Sequence, residues 1–243
     1  TVTTAKAANS VVAAPAAQAF ALTTGLDTGS AFTGGAGADT FTAQETTTGS
    51  EPDTDTFTTG DSLDGGSGTD SLVIQVSGTP QTATTAGVAT VNVEEISIYN
   101  NSTATYTVDA AQMAGVSTFI VNGGSQATVI TGVDSLAGLS LVNTAQNVTL
   151  TATAATVVGD ADAATITTTG SALTANITAS YAGLETINLV ASGATGTTDA
   201  NDYKLTVTSG DLETLNVSGA ADIHVATTFT GAAADSQTAT FDA

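Results

Sequence analysis

Two octapeptides of the same pattern stand 31 residues apart in the first third of the chain. They read GGAGADTF over residues 34–41 and GGSGTDSL over residues 65–72, and both fit G-G-x-G-x-D-x-U, where U is a large apolar residue. Calcium takes about six to eight hard oxygen ligands, and a glycine-rich turn can aim successive carbonyls inward where side chains would obstruct. The aspartate adds charge. The pattern therefore predicts two calcium turns, each followed by a strand that directs Phe41 or Leu72 into a core.

The composition favours narrow, closely stacked strands. The 243 residues are rich in Thr, Ala, Val, Gly and Ser, and they include no Trp and no Cys. Small and β-branched residues suit strands better than long helices with leucine-rich faces. Because no disulfide is available to reinforce such a core, a metal ion is the obvious alternative means of stabilising it.

The charge balance excludes several classes of partner. Two basic residues stand against 23 acidic ones, which gives a formal net charge of −21, and no Lys or Arg occurs between Lys6 and Lys204. Nucleic acid is excluded because phosphate binding needs cations, and an anionic membrane would repel the chain. No window approaches the roughly 18 apolar residues of a membrane span. We expect no nucleic-acid partner, no membrane insertion and an attraction for divalent cations.

Groups that commonly carry catalysis are sparse. His224 is the single histidine, and in the alternating segment Ile223-His224-Val225 we expect it to face outward from a strand. Triads and most general-base schemes would depend on that one residue. Paired carboxylates can run glycoside hydrolysis, but carbohydrate clefts normally carry aromatic platforms, and Trp is absent. We therefore predict that the chain is not an enzyme.

A looser repeat follows Leu72. The segments GLETINL (183–189) and DLETLNV (211–217) are nearly superimposable. The equivalent apolar residues of all copies, including three weaker ones, are Ile96, Phe119, Leu139, Ile187 and Leu215. The interval of 48 residues after Leu139 leaves room for a further coil around Ile166. A period of roughly 20 to 28 residues with one strand per unit is typical of stacked β-coils, although a β-sandwich also gives many short alternating strands.

Two polar positions recur within this repeat. Glu185 and Glu213 occupy one of them, and we expect both to point outward because the neighbouring leucines and isoleucine point inward. Asn188 and Asn216 occupy the other. We expect these asparagines to hydrogen-bond between coils, which is a structural role.

These patterns together predict an all-β protein, an irregular β-solenoid of stacked β-coils with Gly/Asp-rich calcium turns near its N-terminal side. Residues 1–21 are expected to be a connector or a first strand, with a mildly helical run over residues 13–20. Residues 22–75 form the calcium-binding segment, and residues 76–243 form a Thr/Ala/Val-rich β-repeat region continuous with it. Between the two turns, residues 45–59 are expected to form a loop whose Asp53 and Asp55 either close a site or are solvated.

The segments 22–28, 34–41 and 61–70, followed by a Thr/Ala/Val-rich chain with LETINL units, resemble the RTX-type calcium-binding bacterial surface-layer proteins. The resemblance implies that Asp39 and Asp70 are side-chain calcium ligands, with Asp27, Asp61 and Asp64 as completing ligands. The glycines that it implies shape the turns and present carbonyls are Gly34, Gly35, Gly37, Gly65, Gly66 and Gly68. The chain departs from the family in having two isolated motif copies and no recognisable C-terminal secretion signal. We therefore expect an internal piece of a longer protein.

The same resemblance implies a function. It implies a protein that leaves the cell by type I secretion, lies on the outer cell surface and assembles with copies of itself, with calcium driving both folding and assembly. Cell-surface polysaccharide is a further candidate partner. Two alternatives stay open, namely the stalk or binding module of an RTX adhesin and the non-catalytic domain of an RTX hydrolase.

Overall fold

The computed structural model describes residues 15–46, 54–79, 87–153, 162–170, 176–180, 184–193, 203–209, 212–220, 223–229 and 238–241. One short 3-10 helix, Gly29–Phe32, accompanies the strands. In chain order the strands are β1 (Ala19–Ala21), β2 (Thr40–Glu45), β3 (Ser62–Asp64), β4 (Ser71–Val76), β5 (Ala89–Val91), β6 (Glu95–Asn100), β7 (Tyr106–Asp109), β8 (Thr118–Asn122), β9 (Thr128–Val133), β10 (Gly138–Val142), β11 (Val148–Ala152), β12 (Ala163–Gly170), β13 (Asn176–Ser180), β14 (Thr186–Gly193), β15 (Tyr203–Ser209), β16 (Thr214–Gly219), β17 (Ile223–Phe229) and β18 (Thr238–Phe241).

The strands form three parallel sheets. The largest has ten strands in the order β1-β2-β4-β6-β8-β10-β12-β14-β16-β18, the second has six in the order β17-β15-β13-β11-β9-β7, and β3 pairs with β5. From β6 to β18 the chain alternates between the two large sheets, so that each coil adds one strand to each. The predicted β-solenoid is confirmed, and the sandwich alternative is wrong, because sandwiches pair their strands antiparallel whereas these strands stack in parallel on successive coils.

A short third side completes the first coils. It consists of β3 and β5, with isolated parallel bridges from Thr33 to Asp64 and from Thr90 to Met113 at its two ends. This side directly precedes the strands of the ten-stranded sheet. The glycine-rich turns of residues 34–39 and 65–70 therefore lie where the chain passes from the short side into that sheet, and we call this place the glycine corner.

The core is filled by alternate residues of each strand. In β2, β4 and β6 the second and fourth residues are buried apolar side chains, and the intervening residues lie on the outer face. As predicted, Phe41 and Leu72 are buried, and they are Cα partners in the sheet register. Phe20 of β1 stacks on Phe41 with ring centroids 4.7 Å apart, which extends the core into the first coil.

The register also tests the predicted repeat. Ile96, Phe119 and Leu139 share one column of the ten-stranded sheet, and the coil predicted around Ile166 is present as β12. Ile166, however, pairs with Leu189 rather than Ile187, which pairs with Ala164. The column thus shifts by two residues, a change that keeps every side chain on its own face because strands have a period of two.

The asparagine prediction is confirmed in the same sheet. Asn188 and Asn216 are Cα partners, and the Nδ2 of Asn216 donates a hydrogen bond of 2.9 Å to the Oδ1 of Asn188. These amides therefore link two coils on the outer face.

At the N-terminal side, the helical prediction for residues 13–20 is wrong where the structure describes it. Residues 15–18 have no regular structure, and β1 is a strand that pairs with β2. The strand is favoured because Phe20 gains a core contact with Phe41. A single ten-stranded sheet runs through the predicted calcium segment and the repeat region.

Candidate metal centre

The two glycine-rich turns lie directly on top of one another. The backbone N–H of Ser67 donates to the carbonyl of Gly35 (2.8 Å), and that of Gly34 donates to the carbonyl of Asp64 (2.7 Å). The N–H of Ser71 bonds the carbonyl of Asp39 at the point where the strands begin. Two motifs that are 31 residues apart in sequence therefore form one local structure.

Glycine is required in these turns because backbones touch. A Cβ on Gly65 would overlap the carbonyl oxygen of Asn92 in the next coil and would lie 2.6 Å from the Oδ2 of Asp70. Gly66 has a φ of +86°, and a Cβ there would overlap the carbonyl oxygen of Gly35. The same overlap with backbone atoms of a neighbouring coil holds for Gly34, Gly37 and Gly68, whereas a Cβ on Gly35 would meet only the end of the Gln18 side chain, at 3.3 Å.

The motif aspartates point back along the stack. The Oδ1 of Asp39 accepts a hydrogen bond from the N–H of Gln18 (2.6 Å), and its Oδ2 accepts one from the N–H of Gly35 (2.5 Å). The Oδ1 of Asp70 accepts from the N–H of Asp39 (2.6 Å). The Oδ2 of Asp70 is buried and has no hydrogen-bond partner among the residues that the structure describes. Asp70 therefore differs from Asp39 in holding one unsatisfied carboxylate oxygen.

The same contact recurs beyond the glycine turns. The Oε2 of Glu94 accepts from the N–H of Asp70 (2.7 Å), and the Oε2 of Glu185 accepts from the N–H of Asp162 (2.8 Å). Each of these acids immediately precedes a strand of the ten-stranded sheet. We call Asp39, Asp70, Glu94 and Glu185 the acidic ladder.

The ladder corrects one sequence prediction. The repeat pattern predicts that Glu185 points outward, but the residue is 7% exposed because its carboxylate turns toward the preceding coil to cap a backbone N–H. Glu213 is exposed, as expected. The sequence signal that could reveal the ladder is an acidic residue directly before an alternating strand, as at Asp39, Asp70, Glu94 and Glu185.

The remaining predicted ligands divide between two places. Asp64 lies at the glycine corner, where its Oδ1 accepts from the N–H of Gly66 (3.0 Å) and from the Nδ2 of Asn92 (2.9 Å). Asp61 precedes β3, so it lies at the opposite end of that strand from the glycine turn. The structure therefore places Asp39, Asp64 and Asp70 at the glycine corner and Asp27 and Asp61 away from it.

Asp27 and Asp61 form a second stack of capping acids. The Oδ1 of Asp61 accepts from the N–H of Asp27 (2.9 Å), and its Oδ2 accepts from the N–H of Thr58 (2.7 Å). Both carboxylate oxygens of Asp27 bond Thr23, one through its hydroxyl (2.7 Å) and one through its N–H (2.8 Å). These contacts hold turns in place.

Burial destabilises the ionised form of two of these acids. Burial raises the pKa of Asp70; the hydrogen bond from Asp39 opposes the rise, and the negative charges of Asp39, Glu94 and Asp64 add to it. Burial also raises the pKa of Asp61, against hydrogen bonds from Asp27 and Thr58 and with a further contribution from the charge of Asp27. At the glycine corner, the buried carboxylate of Asp70 therefore lies near three other negative charges.

This electrostatic pattern predicts a pH dependence in the absence of divalent cations. The pKa of Asp70 is higher in the folded protein than its usual value of 3.8, so the folded state binds more protons between those two pKa values. The contribution of Asp70 to the free energy of unfolding should therefore fall as pH rises through this window and recover on acidification. Urea unfolding of the wild type and Asp70→Asn in chelator, repeated at several pH values, measures this contribution as the difference between their free energies of unfolding. A difference that does not change with pH across the window would contradict the prediction.

The glycine corner offers oxygen ligands only. Its carboxylates and glycine carbonyls match the preference of calcium, and the tight backbone packing leaves no room for Cβ atoms. Among the described residues there is no group of three or more His, Cys, Asp or Glu placed to hold a metal ion. A cation bound here would accordingly depend on backbone carbonyls as well as on Asp70.

The other residues singled out in the sequence are partly described. His224 lies in β17 as a Cα partner of Lys204, and the orientation of its side chain lies outside the described part of the structure. Asp53 also lies outside the described residues, whereas Asp55 is buried near the end of β2.

No helix within the described segments is long and apolar enough to cross a membrane. In comparisons with known proteins, no family model, no curated protein and no solved structure matches the chain.

Proposed function

We propose that this chain is a calcium-dependent structural protein of an extracellular surface layer or a related self-assembling array. The observation that carries the proposal is the buried Oδ2 of Asp70, which no described residue satisfies, in a cradle of glycines too tight for side chains. A buried carboxylate oxygen with no donor is costly, and a hard cation is the partner that suits it.

The residues present fit calcium. Asp70 would supply the charged ligand, Asp64 and Asp39 lie beside it, and the glycines of the two turns would supply carbonyl oxygens. When bound, the ion would supply the positive charge that offsets the crowding of carboxylates at the glycine corner. Asp27 and Asp61 are assigned to the second stack, where they cap turns.

Calcium binding is expected to be linked to folding. The glycine turns of residues 34–39 and 65–70 come together only when the coils stack, so the site exists in the folded state alone. A ligand that binds only the folded state stabilises it by about 2.7 kcal/mol when its concentration is one hundred times its dissociation constant. With a net charge of −21, the chain would stay expanded where calcium is scarce, as in the cytoplasm during export, and fold where calcium is abundant.

The distribution of polar groups supports assembly rather than catalysis. On the outer face of the ten-stranded sheet, one register column runs through Ser97, Ile120, Ser140 and Thr167, all half-buried, while the acidic ladder lies at the corner before the strands. A regular column without charged residues lets copies of a strongly acidic chain approach each other, and calcium between acidic corners would reduce their repulsion.

Circular dichroism and analytical sedimentation in calcium and in chelator test the proposal. We expect β-structure and large assemblies in calcium, and in chelator monomers of much lower stability, a substantial fraction of which is unfolded. Electron micrographs of the calcium form should show sheets or filaments. A fold and an oligomeric state that are both unchanged by chelation would overturn the proposal, and dispersed folded monomers in calcium would favour a monomeric binding module instead.

A further inference from the structure

A second polar cluster lies at the end of β2, away from the glycine turns. It contains Glu45, Asp55 and Tyr106, whose side chains are 2%, 7% and 1% exposed. The hydroxyl of Tyr106 is buried and has no hydrogen-bond partner in the described part of the chain. Two buried acids whose charges act on a buried, unsatisfied phenol are not explained by the packing of an apolar core.

The fold brings these residues to one corner. Glu45 ends β2 in register with Val76 and then Asn100 at the ends of β4 and β6. From Asn100 the chain turns directly into β7, which begins at Tyr106. The turn is held by the Nδ2 of Asn100, which donates to the carbonyls of Ala104 (3.2 Å) and Ala127 (2.7 Å). Tyr106 is thus placed where the ten-stranded sheet ends and the six-stranded sheet begins.

The segment that follows β2 orients both carboxylates. The Oε1 of Glu45 accepts a hydrogen bond from the N–H of Phe57 (3.1 Å), and the Oδ1 of Asp55 accepts one from the N–H of Thr46 (2.7 Å). The N–H of Thr56 bonds the carbonyl of Gln44 (2.9 Å), so the returning chain pairs with the end of β2. Backbone hydrogen bonds therefore hold both carboxylates in place without a bound ligand.

The negative charges of Glu45 and Asp55 both act on Tyr106. Burial raises its pKa well above the usual value, and the charges of Glu45 and Asp55 add to the rise. The phenol therefore stays protonated and neutral, and its buried oxygen lies within the influence of two negative charges. Carboxylate and hydroxyl oxygens of this kind form a ligand set that suits hard cations and is poor for soft metals.

We propose that Glu45, Asp55 and Tyr106 form a binding site for a hard divalent cation of the calcium type, separate from the glycine turns. The cation would join the end of β2 to the start of β7 and so tie the first coils to the six-stranded sheet. A carboxylate has about four lone-pair positions, so a backbone hydrogen bond to one oxygen is compatible with metal ligation. This inference does not depend on the proposed function.

Terbium luminescence sensitised by tyrosine tests the site in the full chain. Terbium is a hard trivalent cation that replaces calcium, and the chain has no Trp and only four Tyr, so a bound ion beside Tyr106 should emit when tyrosine is excited. We expect saturable emission that calcium displaces. Tyr106→Phe should remove most of the emission, and Glu45→Gln should weaken terbium binding by at least about tenfold because ligand charge sets affinity.

Two control variants distinguish this site from an exposed tyrosine and from the glycine corner. Tyr99→Phe changes a tyrosine that is 44% exposed on the outer face, and it should leave the emission unchanged. Asp70→Asn alters the glycine corner and, at terbium concentrations that keep this variant folded, should leave the maximum emission unchanged, so that failure here and failure of the calcium turns are distinguishable. Wild-type emission that is absent, or that survives in Tyr106→Phe, would overturn the proposal. If Glu45→Gln does not fold, Asp55→Asn, which neutralises the other carboxylate, tests the same loss of terbium affinity.

Discussion

Gly65→Ala is expected to prevent stable stacking of the first coils. A Cβ at this position would overlap the carbonyl oxygen of Asn92, which is backbone and cannot rotate away, and would crowd the Oδ2 of Asp70. Relief requires the two coils to separate, which breaks the hydrogen bond from the Gly65 N–H to the carbonyl of Val91 (3.0 Å). We expect a loss of at least about 3 kcal/mol in the free energy of unfolding, measured by urea titration in calcium.

Gly25→Ala is the matched control for this substitution. Gly25 does not have a positive φ, and an added Cβ would meet only the Thr23 hydroxyl at 3.6 Å, an ordinary contact. Its effect should stay within about 0.5 kcal/mol. Equal effects of the two substitutions would contradict the close backbone contact described for the glycine corner.

Asp70→Asn is expected to change stability in opposite directions with and without calcium. In chelator the variant should be more stable than the wild type at neutral pH, because it removes a buried charge that lies near Asp39, Glu94 and Asp64. An asparagine Oδ1 can still accept the hydrogen bond from Asp39. In calcium the variant should be the less stable protein, because the charged ligand is lost. The calcium concentration at the folding midpoint should rise by at least about tenfold.

Asp134→Asn is the control for the change in net charge. Asp134 is exposed, so its substitution should shift the calcium midpoint little and should not reverse the order of stabilities. Calcium titrations monitored by circular dichroism give both quantities. Asp70→Asn curves that coincide with those of Asp134→Asn would contradict a specific calcium ligand at Asp70.

Much of the fold could be predicted because the chain repeats its local signals. Phe41 and Leu72 follow identical glycine patterns, and both are buried partners in the sheet. Ile96, Phe119 and Leu139 share a column because each follows the same short motif. The two-residue shift at Ile166 could not be predicted, since a strand pattern of period two is the same in either register.

The site could be predicted less completely than the fold. The glycine spacing indicates which turns come together, but it does not show that the Oδ2 of Asp70 is buried without a described partner while both oxygens of Asp39 accept backbone bonds. That difference arises within the turn, because the N–H of Gly66, the counterpart of Gly35, donates to the Oδ1 of Asp64 instead of to Asp70. The influence of the Glu45 charge on Tyr106 could likewise not be predicted, because the two residues lie on strands of different sheets.

The acidic ladder also bears on how such a chain can change in length. Its bonds span 21, 31, 24 and 23 residues, yet each joins equivalent points of successive coils. Where a ladder acid precedes a strand, it therefore aligns that strand with the preceding coil, whatever the number of residues between them. Insertions and deletions elsewhere in a coil alter the outline of the molecule while strand positions stay fixed. Related sequences could therefore differ in the lengths of their surface loops while keeping the same strand register and the same core.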